Sequence, residues 1–177
     1  MIACPTGWGR PLVTIGELNT LPLDRFVEQI GWVFEHSPWV AERAWKRRPF
    51  ATPEALHAGM RDEVERATRE EQLALLRAHP ALGTRNLVSA ASQSEQAGAG
   101  LHQVTLEGAE YLERLNSDYH RKFGFPFIYA VKGSPPADIL FSLTVRLDGT
   151  PEEEFHEALY QVHRIAWFRL SDCLKGE

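Results

Sequence analysis

Apolar residues along this chain recur at three- and four-residue steps far more often than at alternate positions. Phe26, Ile30, Val33 and Phe34 fall at i, i+4, i+7 and i+8, one apolar stripe along a helix. Ser37-Pro38 then reads as an N-cap with proline at the first helical position. Thr52-Pro53 repeats the device ahead of Leu56, Met60 and Val64. Thr68 with Glu71 has capping-box spacing and opens a helix predicted to run to His79. A break follows at "PALGTRNLVSAAS". A long helical pattern then runs from about Glu95 to Lys122 through Val104, Leu112, Leu115 and Tyr119, with Gly98 and Gly100 marking a kink or a second start. "PPADILFSLTVRL" predicts another helix, closed by Gly149. Thr150-Pro151 with Glu153 opens a last one carrying Phe155, Leu159, Val162, Ala166 and Leu170.

"FGFPFIYAV" is the one strand-like run. Pro126 takes a donor out of any ladder, so the segment is predicted to cross the core as extended chain instead of pairing in a sheet. Residues 1–13, rich in Gly and Pro, read as an irregular arm. With no internal repeat, the expected class is all-α, a single-domain bundle of about seven or more helices over residues 14–177.

Composition narrows the function classes. A chain of 177 residues, 44% hydrophobic and 24% charged, is long enough for one domain with a real core. The formal net charge of -5 argues against general nucleic-acid binding, which needs a basic face. The one basic run, Lys46-Arg47-Arg48, ends a helical pattern and reads as a solvated helix end, where cations suit the dipole. Cys4 and Cys173 lie near opposite ends with no metal or disulfide spacing, so a reducing compartment is the simplest reading. No apolar run approaches a membrane span and no leader pattern opens the chain, so the expected location is cytoplasmic.

Several chemistries find no motif. Seven histidines invite a metal reading, but His156 and His163, seven apart, have no His-Glu-x-x-His or Cys-x-x-Cys spacing around them, and no metal is expected. There is no Gly-x-Ser-x-Gly nucleophile motif and no phosphate-cradling glycine loop.

Four stretches remain. In "LLRAHPALG", Pro80 disfavours helical geometry at the residue before it, so the His79 ring leaves the helix surface at the helix end. In "SQSEQAGAGL", Ser92 and Glu95 have capping-box form. Alternatively, Glu95 and Gln96 project from a helix start beside small residues and grip a polar heterocycle by its donors and acceptors. In "NSDYHRKFGFPFIYAVKG", Phe123, Phe125, Phe127 and Ile128 read as core. Extended backbone outside a sheet still needs hydrogen-bond partners, which a planar, amide-rich ligand would supply. In "RIAWFRL", Arg169 is embedded in an apolar pattern, a setting that recruits an arginine for an anion.

Together these stretches, in this order, with "FEHSPWVAERAW" at residues 34–45, resemble the OHCU decarboxylase family over about residues 14–174. The resemblance implies an all-helical, cofactor-free enzyme of urate degradation that decarboxylates 2-oxo-4-hydroxy-4-carboxy-5-ureidoimidazoline to (S)-allantoin, in a family commonly homodimeric. His79 matches the family's catalytic histidine, the proton donor, within a motif completed by Pro80 and Leu82. Ala81 stands where the family often has an acidic residue. Ser92, Glu95 and Gln96 match its substrate-binding segment, Phe127, Ile128, Tyr129, Ala130 and Val131 a stretch contacting the ligand partly through backbone, and Arg169 a substrate-holding arginine.

Decarboxylation needs an electron sink, and the chain shows no cofactor motif to supply one. The implied substrate carries a ring C=N beside the carboxylate-bearing carbon, so the ring itself accepts the electrons. The expected roles are His79 as general acid, Glu95 bonded to the substrate hydroxyl or to the imidazole, and Arg169 on an anionic or carbonyl oxygen. The reading from another class is a non-catalytic helical module that binds a purine-like ligand or a protein partner, since a bundle does not fix function.

Overall fold

Threonine caps set where the helices begin. In the computed structural model, which describes residues 12–82, 90–99 and 106–175, Thr14, Thr68 and Thr150 each accept the N3 backbone N–H while Glu17, Glu71 and Glu153 reach back to the cap. Thr52 accepts from the Ala55 N–H at 3.2 Å, with Pro53 behind it in the first turn. These starts, and the apolar stripes that follow, produce nine α-helices among the described residues: α1 (Ile15–Thr20), α2 (Leu23–Ile30), α3 (Trp39–Trp45), α4 (Pro53–Glu65), α5 (Arg69–Arg77), α6 (Ala90–Gly98), α7 (Leu106–Phe123), α8 (Pro136–Arg146) and α9 (Pro151–Cys173). A 3-10 turn, Gly31–Val33, continues α2. The only β-pairing among these residues is an isolated bridge between Val13 and Leu174. None of their helices is long and apolar enough to cross a membrane.

The all-α expectation holds, with local corrections. Pro38, not Ser37, is the N-cap of α3, and it offers no side-chain cap bond. The pattern from Glu95 to Lys122 belongs to two helices, α6 and α7, which agrees with the second start marked by its glycines. α6 opens at Ala90, so Ser92 and Glu95 lie inside the helix and form neither a capping box nor a helix start. α5 stops at Arg77, two residues before His79. The basic run is not simply solvated. Arg47 pairs with Asp62 and Glu63 at 2.9 and 2.6 Å, and Arg48 donates to the carbonyls of Asn19, Leu21 and Trp45. Apart from Leu12 and Val13, the expected N-terminal arm lies outside the described residues, as do 83–89 of the expected break.

Two compact units divide the chain. One takes residues up to Leu75 together with those from His163 onward, the other Leu76–Val162. In the first, Phe26, Ile30, Val33 and Phe34 are all buried, as their spacing predicts, with Val40, Leu56, Met60, Val64 and Leu170. In the second, Tyr119 is the centre of an aromatic core. Its ring lies 4.5 Å from Phe123 and 5.4 Å from Phe127, and Phe125 stands edge-on to Phe155. α7 ends on Gly124, whose φ of 77° is the left-handed geometry that closes a helix without a Cβ clash. The segment after it, through Val131, belongs to no helix or strand, as expected from Pro126.

Candidate functional site

His79 sits just past the end of α5. Its N–H reaches back to the Leu76 carbonyl at 3.2 Å, closing one tight turn, and the residue is buried at 7% exposure. Pro80 is half-buried. The turn is tied further along: Asn116 of α7 donates to the Leu82 carbonyl at 2.8 Å, and Arg77 donates to the Gly124 carbonyl at 3.0 Å. A buried amide therefore holds the backbone after His79, while the Arg77 side chain before it reaches the carbonyl that follows α7.

On α6, Ser92, Glu95 and Gln96 fall at i, i+3 and i+4 and share a face, which Ala99 continues just past the helix end. Burial separates that face from the rest of the helix. Ser92 and Ala99 are buried and Glu95 and Gln96 are half-buried, while Gln93, Ser94, Ala97 and Gly98 are exposed. An ordinary amphipathic helix covers its apolar side. Here the covered side carries a hydroxyl, a carboxylate and an amide, groups that cost free energy to bury unless they meet hydrogen-bonding partners.

Phe127, Ile128, Ala130 and Val131 are buried, and Tyr129 is half-buried. Two side chains that sequence reasoning missed hold this segment. Arg146 of α8 donates to the Ile128 carbonyl at 2.9 Å, and Gln161 of α9 accepts the Ala130 N–H at 2.9 Å. Arg146 is itself fixed by Glu154 at 2.9 Å and lies 4.6 Å over the Phe127 ring. Glu154 also accepts the Tyr119 hydroxyl proton. Burial pushes the Tyr119 phenol far above its ordinary value against the opposing pull of Arg146, so it stays protonated and donates.

His79, Pro80, Ser92, Glu95, Gln96 and residues 127–131 all belong to the unit Leu76–Val162. Arg169 belongs to the other. There it is among the largest fully buried side chains, 1% exposed, and forms an ion pair with Glu35 at 2.9 Å, with the Val33 carbonyl 3.3 Å away. Glu35 is the second residue of "FEHSPW", a stretch whose sequence serves only as a family signature.

A signal for the missed residues exists in the spacing. Gln161 lies three residues after Ala158 and four before Ile165, both buried, so it is a polar position on an apolar stripe. Arg146 follows Ile139 and Leu143 in the same way.

Among the described residues this is an all-helical protein with a buried histidine at a helix end and a partly covered polar helix face. Residues 19–171 match the family model described as OHCU decarboxylase, and the chain belongs to the OHCU decarboxylase family. A 2-oxo-4-hydroxy-4-carboxy-5-ureidoimidazoline decarboxylase of Haloferax volcanii is 44% identical over 93% of this chain and 98% of its own length. The uric acid degradation bifunctional protein PucL of Bacillus subtilis is 42% identical over 94% of this chain, which spans 34% of that longer protein. A crystal structure of (S)-allantoin synthase superposes with a TM-score of 0.78 at 33% identity, over 92% of this chain and 54% of the other.

Proposed function

We propose that this protein decarboxylates 2-oxo-4-hydroxy-4-carboxy-5-ureidoimidazoline to (S)-allantoin and CO2. The observation that carries the reading is the end-to-end match with the Haloferax decarboxylase, 98% of whose length is covered. In this reaction the bond from the ring carbon to the carboxylate breaks. Its electron pair moves into the ring as the adjacent C=N takes up charge on nitrogen. The resulting enol collects a proton on the ureido-bearing carbon, the hydroxyl becomes the allantoin carbonyl, and the proton it gives up neutralises the ring nitrogen. The ring supplies the sink, so no cofactor is needed in this reading. The protein's part is to orient the substrate and deliver one proton to one face.

In this reading His79 is the general acid, and burial in a turn closed by the Leu76 carbonyl and tied by Asn116 suits a group that must present its proton in one direction. Glu95 bonds the substrate hydroxyl or the imidazole, and a carboxylate near the ring favours its protonated form. Ser92, Gln96 and the backbone of residues 127–131 read the ring and ureido edges. The family resemblance gives Arg169 a substrate-holding role; in this structure its guanidinium is 1% exposed and paired with Glu35. A homodimer in the cytoplasm completes the proposal, with light scattering as the check on assembly.

The test uses freshly generated intermediate followed by circular dichroism with and without protein. Faster appearance of optically active allantoin supports the reading, and a racemic product at the uncatalysed rate ends it. His79→Asn should lower turnover by roughly 100- to 10,000-fold, the range expected for a lost general acid, with the far-ultraviolet spectrum unchanged. Wild-type turnover in that variant removes His79 from the role.

A further inference from the structure

We infer that Gln161 and Arg146 are positioning residues that set the backbone of Tyr129 against the substrate; the inference rests on the function proposed above. The segment 127–131 lies outside helix and strand, so its buried peptide groups must find partners one by one. The two residues flanking Tyr129 are held by long side chains from different helices. Arg146 takes the Ile128 carbonyl at 2.9 Å, and Gln161 takes the Ala130 N–H at 2.9 Å. Both anchors are in turn oriented. Arg146 is paired with Glu154, and the Gln161 amide donates to Glu157 at 2.7 Å, which leaves its oxygen directed at Ala130.

The arrangement decides which part of the segment meets ligand. Phe127, Ile128, Ala130 and Val131 are buried, and Tyr129 alone of the five keeps intermediate exposure. The Ile128 carbonyl and the Ala130 N–H are already engaged inside the protein. The Val131 carbonyl accepts from the Ser134 N–H at 2.9 Å. Tyr129, the most exposed of the five and set between two fixed points, is where substrate contact is inferred. A hydrogen-bond donor or acceptor held this way needs no reorganisation when the ligand arrives, which is how a chain outside regular structure serves as a rigid reader.

The experiment compares wild type, Gln161→Met and the double variant Glu157→Gln/Gln161→Glu. The methionine keeps length but removes the acceptor; the double variant keeps an acceptor for Ala130 and reverses the Gln161–Glu157 bond. Gln161→Met is expected to raise KM about tenfold, the weight of one good hydrogen bond, with kcat changed less than about threefold. The double variant should bring KM back to within about threefold of wild type. Amide exchange at Ala130 should speed up in Gln161→Met and slow again in the double variant, with or without substrate. A wild-type KM in Gln161→Met, a loss confined to kcat, no recovery in the double variant, or unchanged Ala130 exchange each overturns the inference. Absence of turnover by the wild-type protein would instead defeat the proposed function, and the exchange measurement would still decide whether Gln161 holds the segment.

Discussion

Glu35→Ala is the substitution whose cost follows most directly from the geometry. The Arg169 guanidinium and the Glu35 carboxylate are 2.9 Å apart with side chains 1% and 2% exposed, so truncation leaves a cation that water cannot reach. Breaking such a pair by removing one partner costs about 3–5 kcal/mol, most of it the penalty of the stranded charge. The Val33 carbonyl at 3.3 Å remains to share that charge, which places the expectation at the low end, about 3 kcal/mol. Against a total stability of order 5–15 kcal/mol that is a large fraction. At this chain length each kcal/mol moves the melting point by about 2–4 °C, giving a drop of roughly 6–12 °C. The comparison is Arg25→Ala, which removes the Arg25–Glu28 pair whose side chains are 63% and 60% exposed. Such surface pairs contribute about 0–1 kcal/mol. Thermal unfolding by circular dichroism at low and high salt separates the two, because salt screens exposed pairs far more than buried ones. A Glu35→Ala melting point within about 2 °C of wild type refutes the reasoning, as does a loss no larger than that of Arg25→Ala.

Two further outcomes follow from the same geometry. Burial lowers the pKa of His57 and of His163 below the ordinary 6.5; at His163 the attraction of Glu65, half exposed and so screened, does not reverse this. The unfolded chain then takes up protons first, so the contribution of these groups is fully present above about pH 6.5 and is lost as pH falls toward the lowered folded values. Urea midpoints from pH 8 to pH 5 should show that decline, and His163→Gln should flatten it; an identical slope in the variant contradicts the assignment. Thr52→Ala removes the cap on the Ala55 N–H and should cost about 1 kcal/mol in urea unfolding, with a cost near zero counting against the cap.

Helix starts are the most legible feature of the chain because their causes are local. Thr52, Thr68 and Thr150 act within three residues, and all three caps form as their spacing predicts. α6 is harder to read for the opposite reason. At nine residues and with few apolar positions, it has too little periodicity to mark its own beginning, so the sequence puts Ser92 and Glu95 at a helix start when they lie within the helix. Mid-helix, the three polar residues share one face, Ser92 buried and Glu95 and Gln96 half-buried, which a capping pair would not do.

Spacing marks Arg146, Gln161 and Arg169 as polar positions on apolar stripes but does not reveal their partners, which lie far along the chain. Arg146 reaches back 18 residues to Ile128, Gln161 back 31 to Ala130, and Arg169 back to Glu35. No window of sequence contains both members of any of these pairs, and each polar side chain reads locally as a blemish on an apolar stripe. Burial turns the blemish into information. A polar group at a core position survives only if something satisfies it, and at Arg146 and Gln161 that something is the backbone of a buried segment without regular structure. Helix–helix packing can bury apolar surface but cannot hold a free peptide edge still. Rigidity in residues 127–131 therefore has to come from side chains, and the polar positions on the α8 and α9 stripes are where the chain supplies it.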